Sequence, residues 1–171
     1  FKCTTGEALT FAAQKLDPTA VKEDAIVGGV DVSGNKSGLE LVDECFPRFG
    51  IVPGTIVAPG ISSKPEVAAV MAAKATSIND YFRAICLIDI PTDKVKAYTD
   101  VAKWKTDNNI TDRMQVACWP MVSLDGTVYN MSSQLMALLA KVDAENDDTP
   151  YVSPSNKGFK MTAAVLEDST E

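Results

Sequence analysis

The feature that most constrains the fold is a regular alternation of helix-capping motifs with short β-branched segments. A Ser/Thr-x-x-Glu box begins a helix because its two side chains satisfy backbone N–H groups of the first turn. Such boxes occupy residues 4–7, 37–40 and 63–66, and each precedes apolar residues at helical spacing. The same periodicity predicts two further helices near residues 92–105 and 132–142.

The segments between these helices are predicted to be strands. They are short, rich in β-branched residues and bounded by Gly, Pro or Asp. The predicted strands are residues 25–32, 55–58, 83–90 and 114–119, and residues 123–129 add a hairpin. Strands that alternate with helices form a mostly parallel sheet with helices on both faces. The sequence therefore predicts a three-layer α/β domain.

The domain organisation follows from the chain length and from the positions of the turn-forming and helix-capping residues. A chain of 171 residues has the size of one domain. Residues 1–23 are predicted to be a helical lead-in, residues 24–146 the α/β core domain, and residues 147–171 an irregular C-terminal extension. Because the first residue is not Met, we interpret the chain as an internal piece of a longer polypeptide.

Composition excludes several classes of function. The chain has 16 Lys+Arg against 23 Asp+Glu, and a net charge of −7 argues against nucleic acid as a partner. It has no His, which excludes a Ser-His-Asp triad, a Cys-His dyad and a His-ligated metal. No apolar stretch approaches ~20 residues, so no membrane-spanning segment is predicted. We expect no catalytic residue, no cofactor and no metal.

The four cysteines indicate free thiols. Cys3, Cys45, Cys86 and Cys118 contain no C-x-x-C pair, and the last three lie in apolar runs. Free Cys behaves as a small buried hydrophobe. We predict that these three side chains belong to the core.

The strand ends hold the candidates for a ligand site. Asp31 and Asp89 each end a predicted strand, and Ser62 lies between a strand and a helix. Ligands bind at the carboxyl ends of parallel strands, so an α/β enzyme or small-ligand-binding domain is one interpretation. Turn and cap roles explain the same residues without a ligand, and Ser63 is the predicted N-cap of its helix. Gly28 lies in no G-x-G-x-x-G motif, which favours a close backbone approach there.

Seven segments carry a resemblance that no single motif defines. They are residues 26–31 (IVGGVD), 37–50 (SGLELVDECFPRFG), 52–60 (VPGTIVAPG), 67–75 (VAAVMAAKA), 98–105 (YTDVAKWK), 118–120 (CWP) and 151–157 (YVSPSNK). In this order and spacing they resemble the tail sheath protein of contractile-tailed bacteriophages. The likeness is greatest to the version in phages and prophages of Gram-positive-type hosts, and it runs from about residue 24 to residue 165.

The resemblance implies a self-assembling structural protein and not an enzyme. Sheath subunits of this family form six-fold rings that stack helically around a tail tube. The sheath contracts and drives the tube through the host envelope, and related sheaths act in bacteriocins and other contractile injection systems. The implied partners are other copies of the chain, the tail tube protein, the baseplate and the tail terminator. The implied location is the virion tail, after assembly in the host cytoplasm.

Overall fold

A computed structural model describes residues 22–166. The predicted helix that begins at residue 4 lies outside the described residues. At the centre is a parallel sheet of three strands, β3 (Thr55–Val57), β4 (Ile85–Asp89) and β5 (Gln115–Cys118), with β4 in the middle. These three predicted strands are confirmed. The middle strand is almost wholly buried, as its continuous apolar run predicts.

Helix α3 (Pro65–Thr76) builds the main core against this sheet. Its residues Val67, Met71 and Ala75 are completely buried and pack in one cluster with β3 and β4. The predicted N-cap at Ser63 is wrong, because the cap residue is Lys64, whose side chain makes no capping hydrogen bond to the helix. Lys64 precedes a proline, which favours the extended backbone that it adopts.

Helix α5 (Met131–Ala144) confirms the helix predicted near residues 132–142. Leu138 and Val142 are its buried apolar residues, four positions apart as an inward stripe requires. The helix contacts β3, β4 and β6. Its N-cap is Asn130, whereas Ser132 lies inside the first turn.

The predicted strand at residues 25–32 is wrong. The segment forms a short helix α1 (Glu23–Val27) and then strand β1 (Gly29–Val30), which pairs antiparallel with β2 (Lys36–Ser37). Gly28 ends the helix at a φ of 71°, a conformation that side chains rarely adopt. A Cβ on Gly28 would lie 1.9 Å from the Ser37 carbonyl oxygen, which confirms the predicted close approach.

The helix predicted from residue 37 divides into two pieces. A 3₁₀ helix (Gly38–Glu44) precedes α2 (Cys45–Phe49), and Gly50 ends it in the left-handed conformation, as predicted. Pro47 lies in the second piece. The sequence predicts that the apolar residues of this segment form one inward-facing stripe. This prediction is wrong in part, because Phe46 and Phe49 are 44% and 64% exposed.

Helix α4 (Tyr98–Asp107) begins six residues later than residue 92, where it is predicted to start. The amides of Lys94 and Val95 donate instead to the carbonyl of Pro91 in a tight turn. Thr92 and Val95 are buried in this turn. The helical spacing of this segment predicts that Tyr98 faces inward, and this prediction is wrong, since the side chain is 78% exposed.

A second, antiparallel sheet has the order β7-β6-β8. Strands β6 (Met121–Leu124) and β7 (Thr127–Tyr129) form the predicted hairpin, which turns at Asp125 and Gly126. Strand β8 (Ala163–Val165) lies in the extension that is predicted to be irregular, and it pairs with β6. The fold of residues 22–166 is therefore mixed α/β, because in this part of the chain only the β3-β4-β5 sheet is parallel. No helix within residues 22–166 is long and apolar enough to cross a membrane.

Candidate functional site

The candidate site is a buried polar cluster at the carboxyl ends of β3 and β4. Asp89 is the last residue of β4 and is 5% exposed. Its Oδ1 accepts a hydrogen bond from the Ser132 amide at 3.0 Å. Its Oδ2 accepts from the hydroxyls of Ser132 at 2.5 Å and Ser62 at 3.2 Å. Three donors therefore surround a carboxylate that is shielded from solvent.

Asp89 takes the place of an N-cap for α5. Asn130 occupies the cap position but makes no side-chain cap bond. Ser132 is the second helical residue, whose N–H is a usual target of a capping side chain. The carboxylate reaches this N–H from another strand, and the positive end of the helix dipole favours its charge. The cluster thus fixes the start of α5 on the central sheet.

Ser62 connects the β3–α3 loop to the same carboxylate. It is completely buried, donates to Asp89 Oδ2 and accepts from the Asp89 amide at 3.0 Å. A nucleophilic serine needs an adjacent base and access to substrate. Here the hydroxyl is closed off from solvent, and its neighbouring acceptor already binds other donors.

The third candidate, Asp31, lies apart from this cluster. It follows β1 in the β1–β2 loop, is exposed and accepts hydrogen bonds from the amides of Ser33 and Asn35, both at 2.8 Å. A further bond from the Asn35 side chain is the main cause that lowers the pKa of Asp31. The structure therefore brings Ser62 and Asp89 together and places Asp31 in a turn.

An open groove of about 300 Å³ lies beside the cluster. Gly60, Thr92, Asp93 and Asn130 line it together with one edge of Asp89. Within residues 22–166, no group of Cys, Asp and Glu side chains could hold a metal ion. The arrangement can position a helix and a loop, and the Asp89 carboxylate is already bound by three donors.

Sequence reasoning missed one polar residue of the site and one separate cluster. From the sequence, Ser132 is typical of a helix cap. No local sequence pattern connects it to Asp89, which lies 43 residues earlier. The other cluster joins Lys74 of α3 to Glu40 and Asp43 of the 3₁₀ helix. The spacing of Glu40 and Asp43 places them on one helical face, which was the available signal.

The predicted burial of the thiols is confirmed for Cys86 and Cys118 and is wrong for Cys45. Cys86 and Cys118 are free and buried, whereas Cys45 is free and partly exposed. Burial is the main cause that raises the pKa of Cys86 to about 11 and that of Cys118 to about 12. Both side chains therefore stay protonated near neutral pH and are poor nucleophiles.

Thiol modification tests this arrangement. At pH 8 we expect alkylation of Cys86 and Cys118 in the native protein to be about 100-fold slower than in urea, because little thiolate is present. Mass spectrometry of the digested protein separates these sites from the other cysteines. Equal rates in native and unfolded protein would show that the two thiols are not buried.

The fold and the cluster together define a mixed α/β domain whose strand-end polar residues hold its own elements in place. Two known proteins are similar to it over most of its length. A prophage major tail sheath protein of Pseudomonas aeruginosa (strain UCBPP-PA14) is 30% identical over 153 residues, which are 89% of this chain and 38% of that protein. A tail sheath protein of Burkholderia phage BcepMu is 25% identical over 139 residues, 75% of this chain and 28% of that protein. No protein-family model matches the chain.

These matches confirm the resemblance to phage tail sheath proteins. Both relatives are tail sheath proteins by name. The chain spans well under half the length of both relatives. Their sources are Pseudomonas aeruginosa and a Burkholderia phage, and they lend no support to the narrower likeness to Gram-positive-type hosts.

Proposed function

We propose that this chain is part of the structural subunit of a contractile tail sheath. In this proposal the subunit forms hexameric rings around a tail tube, and the sheath contracts to drive the tube through a bacterial envelope. The observation that carries the proposal is the match to two tail sheath proteins over 89% and 75% of the chain. Its partners are other copies of itself, the tube protein, the baseplate and the tail terminator, and it assembles in the host cytoplasm.

The candidate site supports a mechanical role. A subunit that transmits force needs helices fixed firmly to its sheet, and Asp89 ties α5 and the β3–α3 loop to β4. The alternative, an enzyme or ligand-binding domain that uses Asp31, Ser62 and Asp89, needs free functional groups. In this structure Asp31 is bound in its own turn and Ser62 is fully buried.

A three-layer arrangement is part of the proposal. Side chains of a strand alternate between the two faces of its sheet. Cys86 and Ile88 belong to the cluster that α3 forms, whereas Asp89 binds Ser132 of α5. This alternation supports one helix on each face of β4.

Electron microscopy of the protein expressed from its natural gene tests the function. We expect tubes with six-fold symmetry that form without added nucleotide. A discrete soluble oligomer under all assembly conditions would contradict the proposal. The Ser62→Ala variant is the matched control, because it removes the candidate nucleophile, and a sheath subunit should still form tubes.

Assembly should also depend on salt. The chain carries a net charge of −7, and like charges on free copies repel each other. Salt shortens the range of this repulsion from about 8 Å at 0.15 M to about 3 Å at 1 M. We therefore expect light scattering to show faster assembly at higher salt. Identical rates across this range would contradict the electrostatic part of the proposal.

A further inference from the structure

Residues 22–52, hereafter the N-terminal cover, differ from the rest of the described fold in how they are attached. They comprise α1, β1, β2, the 3₁₀ helix and α2, and none of their side chains is fully buried. Among the described residues, no backbone–backbone hydrogen bond joins the cover to residues 53–166. Within residues 22–166, the cover is therefore attached to the core by the connecting chain and by side-chain contacts.

Apolar contacts between the cover and the core are shallow. Ile26, Val27, Leu39 and Val42 pack against the α3 cluster but remain partly exposed. At the far end, the rings of Phe46 and Phe82 have centroids 5.1 Å apart, with Phe46 44% exposed. These contacts place the cover over α3 without extending the fully buried core.

The strongest polar attachment is at Lys74 of α3. Its Nζ lies 2.7 Å from Glu40 Oε2 and 2.9 Å from Asp43 Oδ2, and its side chain is 16% exposed. Burial alone would lower the pKa of Lys74, but the hydrogen bonds that Lys74 donates to Glu40 and Asp43, with the attraction of their charges, outweigh burial and raise this pKa. The side-chain amide of Asn79 donates a further hydrogen bond to the backbone carbonyl of Asp43 at 2.8 Å. Lys64 and Glu23 form a more exposed ion pair at 3.2 Å.

The chain between cover and core has the properties of a hinge. Gly50 is left-handed at a φ of 66°, and residues 50–52 are exposed. Gly54 follows within four residues, so two glycines flank the connection. The cover therefore has a flexible joint at its C-terminal end and a concentrated ionic contact at α3.

We propose that the N-terminal cover opens as a unit about residues 50–54, and that the ion pairs of Lys74 with Glu40 and Asp43 are the latch that holds it closed. Opening breaks no ladder between strands and uncovers the outer side of α3. Units with few buried contacts open well below the global unfolding free energy. The inference stands independently of the proposed sheath function.

Hydrogen exchange of the whole chain, read by mass spectrometry, tests the latch. In the native protein we expect amides of residues 38–49 to exchange at least 10-fold faster than those of β4 and β5. Lys74→Met leaves Glu40 without its cation and leaves Asp43 with Lys36 alone, whose Nζ lies farther away at 3.8 Å. Loss of the nearer cation is costly for partly buried carboxylates. This variant should accelerate exchange in residues 38–49 about 10-fold more while leaving β4 unchanged. Equal protection of cover and core in the native protein would overturn the proposal.

Two further variants separate a latch from a general loss of stability. Lys141→Met removes an exposed lysine whose pair with Glu145 lies at 3.7 Å, and it should change no exchange rate in the cover. The triple variant Lys74→Met, Glu40→Gln, Asp43→Asn removes all three charges of the latch and leaves only the partly exposed Lys36 without its partner Asp43. It should restore most of the lost protection. If Lys74→Met accelerates cover and core alike, or if the triple variant behaves like the single one, the ion pairs are not a latch.

Discussion

Replacement of Asp89 by alanine is expected to lower the free energy of unfolding by about 3–5 kcal/mol. The substitution removes the acceptor of three hydrogen bonds in a site that is 5% exposed. It leaves the hydroxyl of Ser62 and the amide of Ser132 short of an acceptor, and α5 loses its cap. Urea unfolding followed by circular dichroism measures the loss.

Two controls show that the effect comes from the cluster. Asp89→Asn keeps one oxygen acceptor, and the serine hydroxyls can rotate to accept from the new amide. We expect this variant to lose about 1–2 kcal/mol, clearly less than alanine does. Asp93→Asn changes an exposed carboxylate beside the same groove and should have an effect within about 0.5 kcal/mol. A loss below that level for Asp89→Ala would show that the buried carboxylate does not fix α5.

Replacement of Gly38 by alanine is expected to cost about 3 kcal/mol or more. Gly38 has a φ of 58°, and a Cβ there would lie 2.4 Å from the Ile26 carbonyl oxygen. It would also lie 2.7 Å from the Gly28 Cα, so backbone atoms on both sides prevent a small adjustment. Urea unfolding of the variant and the native protein gives the difference.

Gly34 provides the matched control for this prediction. Its φ is 84°, and no atom would lie within 4 Å of an added Cβ. Gly34→Ala therefore carries the conformational cost alone, about 1–2 kcal/mol. The excess for Gly38→Ala measures the close approach of α1 to the 3₁₀ helix. Equal losses for the two variants would mean that the close approach contributes nothing to stability.

The Asp89 result also bears on the choice between functions. If Asp89 served a reaction, its loss would impair chemistry while the fold remained stable. If it serves a mechanical domain, its loss removes stability, and the Ser62→Ala variant still assembles. The two proposals therefore differ in what a substitution of Asp89 removes: activity for an enzyme, and stability for a structural domain.

Sequence patterns predicted the central elements well because those elements are determined locally. The apolar run at residues 83–90 predicts a strand covered on both faces, and β4 is such a strand. The stripe that includes Leu138 and Val142 predicts α5 from helical spacing alone. The hairpin turn at Asp125 and Gly126 follows from the backbone freedom of these residue types.

The errors fall where distant contacts decide the structure. Residues 25–32 are rich in β-branched residues, which predicts a strand. The approach of Gly28 to Gly38 instead ends a helix in the middle of the segment. Strand β8 has only three residues, and it forms because β6, about 40 residues earlier in the chain, offers it partners. Thr162, just before β8, adds bonds to Ser123 and Asp125. A local pattern carries no information on such partners.

The candidate site divides in the same way. The amino-acid sequence by itself determined that polar residues end the strands, that no histidine chemistry is available, and that the chain resembles tail sheath proteins. Only the tertiary structure decided that Asp89 binds Ser62 and Ser132, 27 and 43 residues away, while Asp31 closes its own turn. The physical reason is burial: a carboxylate removed from water must find donors, and the folded chain alone determines which donors lie within reach.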